Sequence, residues 1–267
     1  MVERTINKPI IGVAALVFVL AAAGVYYLRS RSPALPEAPA PAAIPAPANE
    51  SSIAHPLPEG AADSAPSAPL PELADSDAPL RDALGKLSGA DTVQRYLMPE
   101  NIVRRLVVTI DNLPRQKVAV EKRPTTPVAG VFIAQGDELH ATLDPKNFER
   151  YKPMVAVISQ LEARQLGALY VHFYPLFQQA YQSLGYPTGY FNDRLVQVID
   201  LLLETPQPTG PIELVRPNVM YTFADPGLET RPAGQKLLIR MGPENAAVVE
   251  AKLKELRTVI TAAPLKH

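Results

Sequence analysis

Apolar positions along the chain fall into three regimes. Residues 9–28, PIIGVAALVFVLAAAGVYYL, carry no charge, and about twenty such residues wound as a helix match a hydrocarbon core of roughly 30 Å. Residues 33–79 interleave Pro at twelve positions with Ala, Ser and acids. Proline has no N–H and biases its predecessor toward extended geometry, so this tract predicts polyproline II rather than a packed core. From Ser76 onward the apolar residues take up the spacing of helices and short strands.

In that third regime, Asp77 is placed to cap a short helix with Pro79 in its first turn and Leu80, Leu84 and Leu87 on one side. A second helix is predicted from Pro99, with Ile102, Leu106, Ile110 and Leu113 in register and Pro114 ending it. VAGVFIAQ (128–135) and ELHATL (138–143) flank Gly136-Asp137 and predict a β-hairpin. Residues 145–204 read as mostly helical. One stripe runs through Leu166, Leu169, Phe173, Leu176, Ala180 and Leu184, with Pro175 predicted to kink or break it near Tyr174. Another helix is predicted over 191–204, with Leu195, Val198, Ile199 and Leu202 inward. Ile212–Val215, Val219–Phe223 and Lys236–Met241 read as short strands, and a last helix runs from Pro243 to about Ala262 on a stripe of Val249, Leu253, Leu256 and Ile260. The expected fold class is therefore α+β and mainly helical. Residues 1–31 form an N-terminal anchor with a transmembrane helix over 9–28, 32–77 a disordered Pro/Ala/acidic linker, and 78–263 one globular domain with a few short strands.

Composition sharpens this division. The 267-residue chain has a formal charge of −1. Residues 1–31 carry Arg4, Lys8, Arg29 and Arg31 against Glu3, whereas 32–79 carry seven acids and no Lys or Arg. The remaining domain is only weakly basic, far from the pI above about 9 that marks a nucleic-acid binder, so no nucleic-acid partner is expected. The absence of cysteine excludes disulfides, thiolate metal sites, a thiol nucleophile and a lipoprotein cysteine. Ala21–Ala23 resemble a signal-peptidase site, yet the apolar run continues through Leu28, longer than the roughly 7–15 residues of a signal h-region. Tyr26 and Tyr27 stand just before Arg29 and Arg31, where interfacial aromatics belong. The reading is an uncleaved anchor whose partner is the lipid bilayer. Positive charge is nearly balanced across the span, and the tether adds none on its side. The domain is therefore expected outside and the N-terminus inside.

Five stretches carry a resemblance: RRLVVTIDNLP (104–114), YPLFQQAYQSLGYP (174–187), GYFNDRLVQVIDLLL (189–203), YTFADPGLE (221–229) and AGQKLLIRMGPENA (233–246). Together, over about residues 78–262, they resemble an uncharacterised family of bacterial membrane-anchored proteins, domain of unknown function number 3014. The resemblance implies a single-anchor protein of Gram-negative-type bacteria with a variable Pro-rich linker. Combined with the orientation read from the flanking charges, the expected location is the inner membrane, single-pass, with a periplasmic C-terminal domain. It brings no activity, ligand or catalytic residue.

The sequence holds no GxSxG elbow, Walker loop, GxGxxG or HExxH, and its four histidines have no ligand spacing. No cofactor, metal or catalytic residue is assigned. Its densest polar and aromatic stretch is 170–194. The ligand-binding candidates are Tyr174, Gln178, Tyr181, Tyr190, Asn192, Asp193 and Arg194, with Asp225 beyond. Tyrosines beside amide and charged groups suit a groove for sugar or peptide. The same residues serve equally as a helix cap, an ion pair and half-buried tyrosines edging the core. Glu162, Asp193, Asp200, Asp225 and Glu229 offer carboxylate pairs for glycoside cleavage, which requires a set separation. A basic string (Arg104, Arg105, Arg115, Lys117, Lys122, Arg123) reads as a solvated face or a contact for anionic lipid or polymer. The leading expectation is a membrane-anchored cell-envelope protein, a non-catalytic binding or scaffold module facing the periplasm, with cell-wall polymer or an envelope protein as partner. The alternatives are a cell-wall-directed hydrolase using paired carboxylates and a cytoplasm-facing tethered interaction domain.

Overall fold

The computed structural model describes residues 53–58, 70–137, 140–217 and 220–261. The expected membrane helix over 9–28 and most of the linker lie outside these residues. Among the described residues no helix is long and apolar enough to cross a membrane.

A 3-10 turn at Leu73–Asp75 leads into α1 (Asp77–Ser88), followed by α2 (Ala90–Tyr96) and α3 (Ile102–Asn112). Asp77 does not cap its own helix. It is the first residue of α1, and its carboxylate accepts the N–H groups of Asn101 (2.7 Å) and Ile102 (2.8 Å) at the start of α3. Those donors have no partner within their helix, and a carboxylate there also opposes the positive end of the helix dipole. Asn101 adopts φ 55°, a left-handed conformation that Asn tolerates, and this turn sets the start of α3 at Ile102 rather than Pro99. The predicted stripe of α3 is buried: Ile102, Leu106, Ile110 and Leu113 are each 3% exposed or less, every one contributing roughly 1.5–3 kcal/mol by burial.

The hairpin around Gly136-Asp137 is present as β1 (Ala134–Gln135) and β2 (Ala141–Leu143), shorter than its apolar runs suggest. Then come α4 (Lys146–Glu149), α5 (Lys152–Ser159), α6 (Ala163–Gln182) and α7 (Phe191–Leu203), before β3 (Glu213–Val215) and β4 (Thr222–Phe223). The four strands form one antiparallel sheet in the order β1-β2-β3-β4. Its central register, Ala141 opposite Leu214, joins strands separated in sequence by four helices. The fold is thus mainly helical with a small antiparallel sheet, an α+β arrangement.

After α8 (Pro226–Glu229), residues 233–241 correct the sequence reading. Lys236–Met241, expected as a strand, belongs to α9 (Ala233–Met241). A short apolar run fits either period, and here burial on nearly every side, including Gln235 and Lys236, erases the amphipathic signature. Gly234 explains how α9 fits. A Cβ there would lie 2.6 Å from Leu202 Cδ2 and 3.3 Å from Leu113 Cβ, so any larger residue would have to displace side chains of α7 and the end of α3. Gly242, at φ 87°, then turns the chain into α10 (Pro243–Thr261), the last helix, as predicted.

The main core lies between α3, α6, α7 and α10, with α1 closing one side. A second, smaller cluster of Ala141, Leu143, Leu214, Phe223 and Ile239 joins the sheet to α9. Of the kink or break expected near Tyr174, the break does not occur: α6 continues as one helix through Pro175. Both halves of the helix are held in the core, by Leu166, Leu169 and Phe173 before the proline and Leu176, Phe177 and Ala180 after it. Leu184 falls beyond the helix end and is 41% exposed.

Candidate functional site

Tyr170, Tyr174, Gln178 and Tyr181 follow one another at three- and four-residue spacing along α6 and face the start of α7. Gln178 is the hinge of the arrangement. Its Oε1 accepts the Tyr174 hydroxyl (2.9 Å) and the Phe191 N–H (2.8 Å), while its Nε2 donates to the Gly189 carbonyl (2.7 Å). The Tyr174 oxygen in turn accepts the Asn192 N–H (3.3 Å). Two first-turn donors of α7 are thereby capped from α6, across the loop, because the N-cap Tyr190 makes no side-chain cap bond.

Asn192 is fully buried and uses both ends of its amide. Oδ1 accepts from the Tyr170 hydroxyl (3.0 Å), and Nδ2 donates to the carbonyls of His55 (2.8 Å) and Ile260 (3.3 Å). Arg194 turns the other way. Its guanidinium meets Asp111 Oδ1 (Nε at 3.1 Å, Nη2 at 3.0 Å) and the Asp111 carbonyl (2.8 Å), and Nη1 reaches Gln197. Arg115 and the Tyr186 hydroxyl approach the other oxygen of that buried carboxylate. Tyr181 stacks on Tyr186 with ring centroids 4.6 Å apart. Burial raises the pKa of Tyr170 and Tyr174 well above the ordinary phenol value and pushes that of Tyr181 up to about 12. These hydroxyls therefore act as neutral donors and acceptors.

Tyr190 and Asp193 form the outer rim, and they hold part of the sequence read as linker. Asp193 accepts the N–H groups of Ala54 (Oδ2, 3.1 Å) and His55 (Oδ1, 2.6 Å), and the Tyr190 hydroxyl accepts that of Leu57 (3.3 Å). Leu57 packs on the edge of the main core. Beneath the cluster lies an apolar cavity of about 30 Å³ lined in part by Tyr170, Phe177 and Phe191, dry by the chemistry of its walls.

Seven of the eight candidates thus come together at the α6–α7 junction. Asp225 does not. It caps α8 through the Gly227 N–H (2.7 Å), beside the sheet. Of the other carboxylates considered for glycoside cleavage, Asp200 pairs with Arg257, and Glu229 binds Lys236 and the Phe223 N–H. No group of three or more His, Cys, Asp or Glu side chains suited to a metal occurs among the described residues. Asp111, His55 and Leu57 join the cluster from outside the 170–194 stretch, and Tyr170 joins it from the first position of that stretch. Asp111 carried a legible signal, an acid directly after Ile110 of the buried stripe on a strongly amphipathic helix. The contacts of His55 and Leu57 carried none, being more than 130 positions from their partners.

Neither a curated protein nor a solved structure matches the chain. One family model does, described as Protein of unknown function (DUF3014), over residues 102–257. The match spans α3 to most of α10 and includes all eight candidates, while α1, α2 and residues 53–58 precede it. More than half of the chain is covered, and the protein belongs to the DUF3014 family.

Proposed function

We propose that this protein is a membrane-anchored component of the bacterial cell envelope, held by residues 9–28, whose C-terminal domain is a non-catalytic binding module facing the periplasm. The observation that carries the binding role is the rim of the α6–α7 cluster, where Asp193 and Tyr190 hold the backbone of a peptide segment. The groups behind that rim are committed to one another: Gln178 and Tyr174 cap α7, Asn192 locks Tyr170, and Arg194 is fixed on Asp111. A general acid or nucleophile needs a group free to exchange protons or attack, whereas this set supports rigid recognition. An envelope protein fits the rim better than a cell-wall polymer, because the rim reads peptide N–H groups. The anchor and the acidic Pro-rich tether would present the domain away from the bilayer.

The compartment is tested by labelling. In the cysteine-free chain, Ala48→Cys introduces the only thiol. Intact cells with a permeabilised outer barrier are treated with a membrane-impermeant maleimide. Labelling before lysis is the expected result. Protection until lysis would put the domain in the cytoplasm and overturn the envelope assignment.

A further inference from the structure

We propose that Tyr190, Asn192 and Asp193 form a binding site for a bent, proline-containing peptide, and that residues 53–58 of the same chain are its built-in, exchangeable ligand. The inference deepens the binding-module reading by naming the ligand class of its site and a way of regulating it.

The chemistry of the segment matches the site donor for donor. In Ala54-His55-Pro56-Leu57-Pro58, the prolines remove two N–H groups and leave three, on Ala54, His55 and Leu57. All three are taken by the rim: two by the Asp193 carboxylate and one by Tyr190. Successive N–H groups of an extended strand point in opposite directions, so both can reach one carboxylate only because the chain bends at Ala54–His55. Asn192 fixes the register by donating to the His55 carbonyl. Bonds to an ionised acceptor are the stronger kind, and Leu57 supplies an apolar anchor against the core edge. The site thus selects two consecutive free N–H groups, then proline, then a medium-sized apolar residue.

The same contacts make the segment exchangeable. Ile53 is 52% exposed, Ala54 and Pro56 are exposed, and His55, Leu57 and Pro58 are only half-buried. By contrast Leu73, where the domain proper begins, is 7% exposed. A segment joined to its site by residues 59–69 is held by effective concentration as much as by contact. A partner peptide of the same pattern can therefore replace it.

The test is amide hydrogen exchange at single-residue resolution on the full-length protein in detergent micelles, which reads docking whichever way the domain faces. Ala54, His55 and Leu57 are expected to exchange at least tenfold more slowly than Ala46 and Ala48 in the same tract, after correction for intrinsic rates. Asp193→Ala is expected to abolish that difference. His55→Pro removes one donor from the segment and leaves the helical domain untouched. It is expected to release Ala54 and Leu57 while the amides of α6 keep their protection. Wild-type exchange of the three amides at the rate of Ala46 and Ala48 would overturn the proposal, as would protection of Ala54 and Leu57 that survives both substitutions.

Discussion

Replacing Phe191 by Ala is expected to destabilise the domain by about 3–5 kcal/mol, the range for emptying a well-packed aromatic site. Phe191 is fully buried at the first turn of α7. Its ring lies parallel to Phe177 at 5.9 Å and also meets Tyr181 at 5.5 Å and Tyr170 at 6.5 Å. The site cannot collapse cheaply, because the ring already borders the apolar cavity of about 30 Å³ and truncation merges the two voids. Loss of contacts on several walls at once is what makes such cavities costly. The check is urea unfolding of the full-length protein followed by tyrosine fluorescence, the chain having no Trp. A lower midpoint at an unchanged slope is expected. Because Phe191 immediately precedes Asn192 and Asp193, the same variant should loosen residues 53–58, whereas a variant at the sheet should not.

Asp111→Ala is expected to cost about 3 kcal/mol, near the lower end of the range for removing one partner of a buried ion pair. The Asp111 side chain is 4% exposed and that of Arg194 20%. Without the carboxylate, the guanidinium keeps only the residue-111 carbonyl and Gln197, which is why the loss stays below the top of the range. The mostly exposed Arg115 adds little, since exposed ion pairs contribute about 0–1 kcal/mol. A double-mutant cycle with Arg194→Met separates the pair from its surroundings. The double variant should be more stable than Asp111→Ala alone, because it no longer strands a half-buried charge. If the two losses simply add, the pair is not what fixes α7 against α3.

These two positions also show what was legible in the sequence. Helices with one-sided burial, such as α3, α7 and α10, declared themselves through residues three and four apart. The run at 236–241 did not, because α9 is enclosed by α4, α7 and α10 and meets the sheet through Ile239, and a helix buried on most sides loses its period. Pro175 does not end α6, and local chemistry cannot register that Phe173 and Phe177 anchor both sides of it. The candidate cluster was readable where it is local: seven of its residues fall within 174–194, and helical spacing aligns Tyr174, Gln178 and Tyr181 along α6. Asp225 lies apart from the other candidates, capping α8 beside the sheet. What local pattern cannot carry is pairing at a distance. The bond from Arg194 to Asp111 and the grip of Asp193 on Ala54 and His55 depend on how whole helices pack.

The central claim, that the rim of the α6–α7 cluster recognises peptide, is tested most directly by titration. A fluorescent peptide with the sequence of residues 50–60 is added to the full-length protein carrying His55→Pro, in which the internal ligand is weakened, and binding is followed by anisotropy. The account predicts saturable binding to this variant, apparent affinity at least tenfold weaker in the wild type where residues 53–58 compete, and loss of binding when Asp193→Ala is added. A flat titration with the His55→Pro protein, indistinguishable from that with Asp193→Ala added, would contradict it and leave the cluster a purely structural joint between two helices.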